Sequence, residues 1–120
     1  MRDPTRGGVA TTLNEVAESV NLGIVINELD IPISAQVRAA SELIGIDPLY
    51  IANEGIALLV VSPLAEKKVL KLLRNNPLGK NARTVGTVTN KFKSRVILRT
   101  NFGSERIIDM LTADPLPRIC

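Results

Sequence analysis

Cys120, the single cysteine of this 120-residue chain, is also its last residue, and a thiolate is a strong protein nucleophile. We expect its thiol to be free to reach another group, because no residue follows it in this sequence and there is no second cysteine to pair with it. Pro115 and Pro117 favour an extended arm before it. The α-carboxylate beside the thiol opposes formation of the thiolate, and the Arg118 guanidinium could stabilise either the thiolate, which would offset this repulsion, or the carboxylate. We therefore expect a domain over residues 1–113 and an extended reactive tail over 114–120, the alternative being a frayed chain end.

A second candidate is Glu54, which lies in the sequence ANEG at 52–55, directly before the apolar run 56–61. A continuous apolar run is typical of a central strand covered on both faces, so Glu54 is expected at the entry to the core. The chain has no histidine, so any catalysis must use carboxylates, lysine or the terminal thiol. The alternative is an exposed turn, because Asn-Glu-Gly is ordinary loop chemistry.

Gly7 and Gly8 form the third candidate, since they stand immediately before apolar residues at helical spacing. A helix that begins here points its first backbone N–H groups at the glycine turn, an arrangement that suits an anion. Asp3 or Thr5 could cap this helix. A glycine pair that only permits a tight turn is the alternative, because the motif is short.

Composition limits the function classes. With 45% hydrophobic residues in 120, the chain is expected to form one domain. The net charge of +3 arises from 15 basic and 12 acidic residues, which we expect to be spread along the chain and not gathered into a block that follows phosphates. Aromatic residues, which stack on single-stranded bases, make up only 2%. We therefore expect no nucleic-acid binding. One cysteine and no histidine exclude a Cys/His zinc site, and we predict no metal ligands. The longest apolar run is too short for a membrane span and no secretory signal is recognisable, which favours the cytoplasm.

The residue pattern predicts the element order α-β-α-β-α-β-β-β. Helices are expected from Gly7, between Ser34 and Gly45, and after Ser62 with Pro63 at the first position. The predicted strands are 23–29, 56–61, 84–89, 95–99 and 107–111, with 90–94 short enough for a hairpin and 101–103 as the next turn. We therefore predict an α+β fold in which helices are layered on a mixed β-sheet.

Four stretches, taken together, carry a family resemblance: MRDPTRGGVA at 1–10, ANEG at 52–55, NPLG at 76–79 and PLPRIC at 115–120. Together they resemble the C-terminal domain of the HypE family of hydrogenase maturation proteins, within the aminoimidazole-ribonucleotide (AIR) synthetase-like superfamily. The resemblance runs the length of the 120 residues. It implies a C-terminal domain of the AIR-synthase-related type, and the family's N-terminal domain is not among these residues.

This resemblance implies an ATP-dependent carbamoyl dehydratase. In the family a carbamoyltransferase, HypF, loads a carbamoyl group onto the terminal thiol, here Cys120. The thiocarboxamide is then dehydrated to a thiocyanate, and the cyano group passes to iron on a HypC–HypD scaffold for the [NiFe]-hydrogenase centre. Glu54 matches the glutamate that acts as base, while Arg6, Gly7 and Gly8 match the loop beside the nucleotide phosphates.

The resemblance also implies that ATP and Mg are bound mostly by the N-terminal domain, which forms the family's homodimer. We therefore expect the 120 residues alone to be monomeric and inactive. Two other interpretations remain open. The chain could be an interaction module that docks its Pro-rich terminus on a partner, or part of a small-molecule synthetase or kinase of the same superfamily.

Overall fold

The computed structural model describes residues 7–51 and 56–109. Arg6, Glu54 and Cys120 lie outside the described residues, as does the 114–120 tail. The described helices are α1 (Gly8–Val20), α2 (Ala35–Ile44) and α3 (Glu66–Arg74), and the strands are β1 (Gly23–Asn27), β2 (Gly86–Thr89), β3 (Val96–Arg99) and β4 (Glu105–Ile108). Short 3₁₀ turns occupy Glu28–Asp30, Pro48–Tyr50 and Pro77–Gly79. The predicted α+β class with a mixed sheet is confirmed.

The four strands lie in the order β2-β1-β3-β4, with β1 parallel to β3 and the two outer pairs antiparallel. The register sets Ile24 opposite Val96 and Ile26 opposite Leu98, so these four side chains share one face. Helix α1 packs on this face through the core residues Ala10, Leu13 and Ala17. The core therefore lies between α1 and the middle of the sheet.

Local signals set the bounds of α2 as predicted. Ser34 Oγ accepts a hydrogen bond from the Val37 N–H at 3.2 Å, and Gly45 ends the helix with a φ of 71°. Helix α3 begins later than predicted, at Glu66. Ser62 instead closes a separate turn, in which its carbonyl accepts from the Ala65 N–H at 2.9 Å.

The predicted strand over 56–61 is wrong. It has a single isolated β-bridge, at Leu58, and its side chains are largely exposed, with Val60 at 63%. The physical reason is that β1 takes the central place in the sheet and is already paired on both sides, by β2 and β3. A hydrophobic run indicates burial, but it does not say which strand takes the centre.

The predicted hairpin over 90–94 is also wrong, because β2 and β3 lie on opposite sides of β1 instead of pairing. The 90–94 loop crosses the start of β1, where the Ser94 N–H donates to the Leu22 carbonyl at 3.2 Å. Gly23 permits this crossing, since a Cβ there would lie 2.8 Å from the Phe92 carbonyl oxygen. The hairpin instead joins β3 to β4 through the turn predicted at 101–103.

Candidate functional site

Helix α1 begins with two glycines in the left-handed region, as the sequence predicted for the helix start. Gly7 is the N-cap, with φ 71°, and Gly8 is the first helical residue, with φ 67°. Gly7 offers no capping side chain, and the first turn contains no acidic residue. The first N–H groups of a helix have no intrahelical acceptor, and the helix dipole adds positive potential there. This end of α1 has the backbone chemistry that an anion requires.

Gly8 lies directly against the backbone of the segment that leads to 52–55. A Cβ on Gly8 would be 2.5 Å from the carbonyl oxygens of both Leu49 and Ile51. Only glycine permits so close an approach, so Gly8 joins the start of α1 to this segment. Ile51 is the last described residue before the stretch that contains Glu54.

The end of β4 reaches the same segment through a side chain that sequence reasoning missed. Tyr50 Oη donates a hydrogen bond to the Asp109 carbonyl oxygen at 2.9 Å. Asp109 follows β4 and is the last described residue before the tail. The described part of the chain therefore ends beside Tyr50.

A second missed residue, Asn14, ties β4 to α1. Its Nδ2 donates to the carbonyl oxygens of Ala10 and Ile108, each at 2.9 Å, and the residue is only 6% exposed. The sequence carried one signal: Asn14 stands next to Leu13 on the apolar side of the helix, where a buried amide needs partners. No local pattern could have identified Ile108 as that partner.

We name Gly7, Gly8, Leu49–Ile51 and Asp109 the corner. It brings together the described flanks of all three candidates, namely the Gly7-Gly8 turn, the 52–55 stretch and the C-terminal tail. In the sequence, Arg6 directly precedes Gly7, Glu54 is three residues after Ile51 and Cys120 is eleven residues after Asp109. The roles of these three residues stay predictions. Gly7 and Gly8 are described, and a role in nucleotide binding stays a prediction for them as well.

Tyr50 is the described titratable group of the corner whose pKa is shifted. Partial burial raises the pKa of Tyr50 above its ordinary 10.0, and the negative charges of Asp47 and Asp109 raise it further. The Arg106 charge and the hydrogen bond to Asp109 act in the opposite direction. The phenol therefore stays protonated and able to donate at neutral pH.

The expected even spread of charge is wrong. Residues 7–51 contain six acidic residues and one basic residue, Arg38, whereas 56–104 contain ten basic residues and one acidic residue, Glu66. The described charges that act on Tyr50 in the corner are Asp47, Arg106 and Asp109, which sum to one negative charge. These three charges therefore give no net attraction for an anion.

The described residues contain no group of three potential metal ligands, and none of the helices in that part of the chain is long and apolar enough to cross a bilayer. A depression of about 300 Å³ adjoins the corner, with Asn14, Ile108 and Asp109 on one side and Lys93 and Arg95 among its other lining residues. Its mixed charge favours no particular ligand.

The family model described as AIR synthase related protein, C-terminal domain, matches residues 1–99. The chain belongs to this family. Its similarity to carbamoyl dehydratase HypE is extensive: 46% identity with the Cupriavidus necator protein and 48% with that of Bradyrhizobium diazoefficiens, each over 100% of this chain. The chain spans about a third of those relatives, 34% and 35% of their length.

Solved structures from this family agree. A crystal structure of the hydrogenase maturation protein HypE superposes with a TM-score of 0.92 at 37% identity, covering 99% of this chain and 39% of that one. A HypE structure in complex with ATP gives 0.88 at 35% identity, covering 95% and 36%. A HypE–HypF complex gives 0.85 at 39% identity, covering 90% and 35%. These findings confirm the resemblance to the HypE type and the AIR-synthase-related fold.

Proposed function

We propose that this chain is the C-terminal domain of an ATP-dependent carbamoyl dehydratase that converts a carbamoylated Cys120 into a thiocyanate, the source of the cyanide ligand in [NiFe]-hydrogenase maturation. The observation that carries the proposal is the corner. It joins the flank of the Gly7-Gly8 turn to the flanks of the segments that contain Glu54 and Cys120. The reaction needs a phosphate site, a base and a mobile thiol, and these three segments supply residues suited to each.

The chemistry follows from the leaving group. Water cannot be lost directly from S–C(=O)–NH2, because an amide oxygen leaves poorly. Transfer of the γ-phosphoryl group of ATP to that oxygen gives an S–C(OPO3)=NH group and ADP, and one of the two nitrogen protons is released to solvent. Loss of the remaining nitrogen proton to a base, with departure of phosphate, gives S–C≡N. We assign Glu54 as this base, because the chain has no histidine and a carboxylate can accept the proton.

We assign Arg6, Gly7 and Gly8 to the transferring phosphoryl group. Support comes from the α1 N-terminus, whose N-cap Gly7 has no side chain, and from Thr11. Among the described residues, Thr11 Oγ1 is buried without a hydrogen-bond partner, and it lies where a Cβ on Gly7 would fall. A hydroxyl and backbone N–H groups are suitable donors to phosphoryl oxygens. The described residues contain no metal-ligand cluster, so we propose that Mg²⁺ is held by the ATP phosphates and by the rest of the protein.

We further propose HypF as the carbamoyl donor and a HypC–HypD complex as the acceptor, both in the cytoplasm. The similarity to the HypE chain of a HypE–HypF complex supports the first partner. The 120 residues alone are proposed to be monomeric and inactive, since most of the ATP contacts and the dimer contacts are assigned to the family's N-terminal domain.

Mass spectrometry of the C-terminal peptide tests the proposal. The full-length protein is incubated with HypF, carbamoyl phosphate and ATP, and the peptide should gain one carbamoyl group and then lose one water only when ATP is present. Cys120→Ser should abolish both changes. Glu54→Gln should stop at the carbamoylated peptide, whereas Glu42→Gln, a matched change at an exposed glutamate of α2, should behave as wild type.

A peptide that never gains the carbamoyl group would refute the dehydratase and favour a docking module, which should also tolerate Cys120→Ser. Removal of the last six residues separates the remaining alternative. A small-molecule synthetase or kinase would keep its turnover after this deletion, whereas self-modification would be lost.

A further inference from the structure

The hydroxyl of Tyr50 makes a contact, within the described residues, that spans 59 residues of sequence. It donates to the Asp109 carbonyl oxygen at 2.9 Å, and the tyrosine ring packs against the hydrophobic core. Asp109 immediately precedes residues 110–120, and one residue, Ile51, separates Tyr50 from the 52–55 stretch. One side chain therefore links the residue before 110–120 to the residues that lead to the 52–55 stretch.

This hydrogen bond holds Asp109, the residue that follows β4. Besides its pairing with β3, β4 is joined to other elements by two side-chain contacts: Arg106 pairs with Asp47 at 2.9 Å, and Asn14 donates to the Ile108 carbonyl at 2.9 Å. The Arg106 side chain of this pair is exposed and the Asp47 side chain is half-buried, and an ion pair that remains this open to solvent contributes little. Of these three contacts, the Tyr50 contact alone is made to Asp109 itself.

We propose that Tyr50 is a positioning residue, whose hydroxyl fixes the point at which the C-terminal tail leaves the domain and so returns the loaded Cys120 thiol to the corner for dehydration. This inference rests on the proposed function. Residues 110–120 number eleven, and an extended chain of that length spans at most about 36–40 Å. A tether of this length samples a large volume, so a fixed and correctly directed origin raises the fraction of time that its tip spends in reach.

The contact uses the hydroxyl and not the ring, so Tyr50→Phe removes the hydrogen bond and keeps the packing. A typical net hydrogen bond corresponds to roughly a 2- to 12-fold change in an equilibrium. We expect single-turnover dehydration of a tail already loaded with carbamoyl to slow by about that factor. Loading of the free thiol by HypF should be unchanged, because it requires the tail to be released and not returned.

Arg106→Gln is the matched control, since it breaks a contact between the same two elements without touching Asp109. It should leave both steps unchanged. Slowing of loading and dehydration to the same extent by Tyr50→Phe, or the same loss of dehydration in Arg106→Gln, would indicate general loosening of β4 and overturn the inference. Equal dehydration rates in Tyr50→Phe and wild type would overturn it directly.

Hydrogen exchange gives a readout that does not depend on the reaction. Amides in a peptide covering residues 107–113 should exchange faster in Tyr50→Phe than in wild type, and Arg106→Gln should match wild type beyond residue 109. If the wild-type protein forms no thiocyanate, the proposed function fails while this measurement still decides the positioning role. Unchanged exchange in Tyr50→Phe would show that the hydroxyl does not hold the start of the tail.

Discussion

Replacing Gly8 with alanine tests the close contact on which the corner is built. Gly8 has a φ of 67°, and a Cβ would lie 2.5 Å from the Leu49 and Ile51 carbonyl oxygens. The left-handed backbone costs a non-glycine residue roughly 1–2 kcal/mol. Both atoms in the way belong to the backbone, so they cannot move aside as a flexible side chain can, and overpacking adds roughly 1–3 kcal/mol. The expected loss of stability for Gly8→Ala is therefore about 2–5 kcal/mol.

Gly45→Ala is the control that isolates the contact. Gly45 has nearly the same backbone, with φ 71°, but a Cβ there meets nothing within 4 Å. Its substitution should lower stability by only the left-handed term, about 1–2 kcal/mol. The difference between the two variants then measures the obstruction at Gly8 without the backbone strain.

Urea titration of each variant, followed by circular dichroism, gives the free energies of unfolding. The reasoning requires Gly8→Ala to be the less stable variant by at least about 1 kcal/mol with an unchanged denaturant slope. Equal stabilities for the two variants would refute it, because the start of α1 and the Leu49–Ile51 backbone would then not be in tight contact.

Two further predictions concern residues that sequence reasoning missed. Asn14→Leu leaves the Ile108 carbonyl without its side-chain donor, so thermal unfolding should show a loss of stability of about 1–3 kcal/mol. The control Ser19→Ala, at an exposed position, should change stability by no more than about 0.5 kcal/mol. Equal effects of the two substitutions would contradict the burial of Asn14. Tyr50 is the chain's only tyrosine and there is no tryptophan, so near-ultraviolet tyrosinate absorbance reports on Tyr50 alone. This absorbance should titrate with a midpoint above pH 10.0. The midpoint should be lower in Asp47→Asn, because the Asp47 charge raises the Tyr50 pKa. Since the folded pKa is raised, the protonated phenol contributes stability below pH 10.0 that is lost as the pH rises through the folded value, and an unshifted midpoint in both proteins would contradict the environment assigned to Tyr50.

The sequence was sufficient where structure depends on near neighbours. Ser34 and Gly45 bound α2 because capping and the left-handed C-cap are properties of a few consecutive residues. The start of α1 at the glycine pair was predictable for the same reason. The β-rich segments 84–89 and 95–99 were also recognised, since period and composition indicate a strand without reference to its partner.

The sequence was insufficient where structure depends on pairing. Strand composition does not say that β1 will separate β2 from β3, so a short loop was interpreted as a hairpin. The same limit explains the run 56–61, whose apolar residues indicate burial and nothing about the surface that buries them. In the described fold β1 already occupies the centre, and that run has no place between paired strands.

The corner was predictable in part, because one of its contacts depends on local sequence and the others depend on the fold. The atoms that make these contacts explain the difference. These contacts, at the corner and beside it, are made to backbone carbonyl oxygens. Gly8 packs against those of Leu49 and Ile51, Asn14 donates to that of Ile108, and Tyr50 donates to that of Asp109. Every residue has a carbonyl, so no residue type at the receiving positions marks them. The residue types that indicate these contacts are those of the contacting partners: the glycine at Gly8, the buried amide of Asn14 and the phenol of Tyr50. Of these three residues, only the glycine has its effect through its own backbone conformation, which is why it alone was found from the sequence. The contacts of Asn14 and Tyr50 close loops of 94 and 59 residues, so they can be identified only once the fold is known.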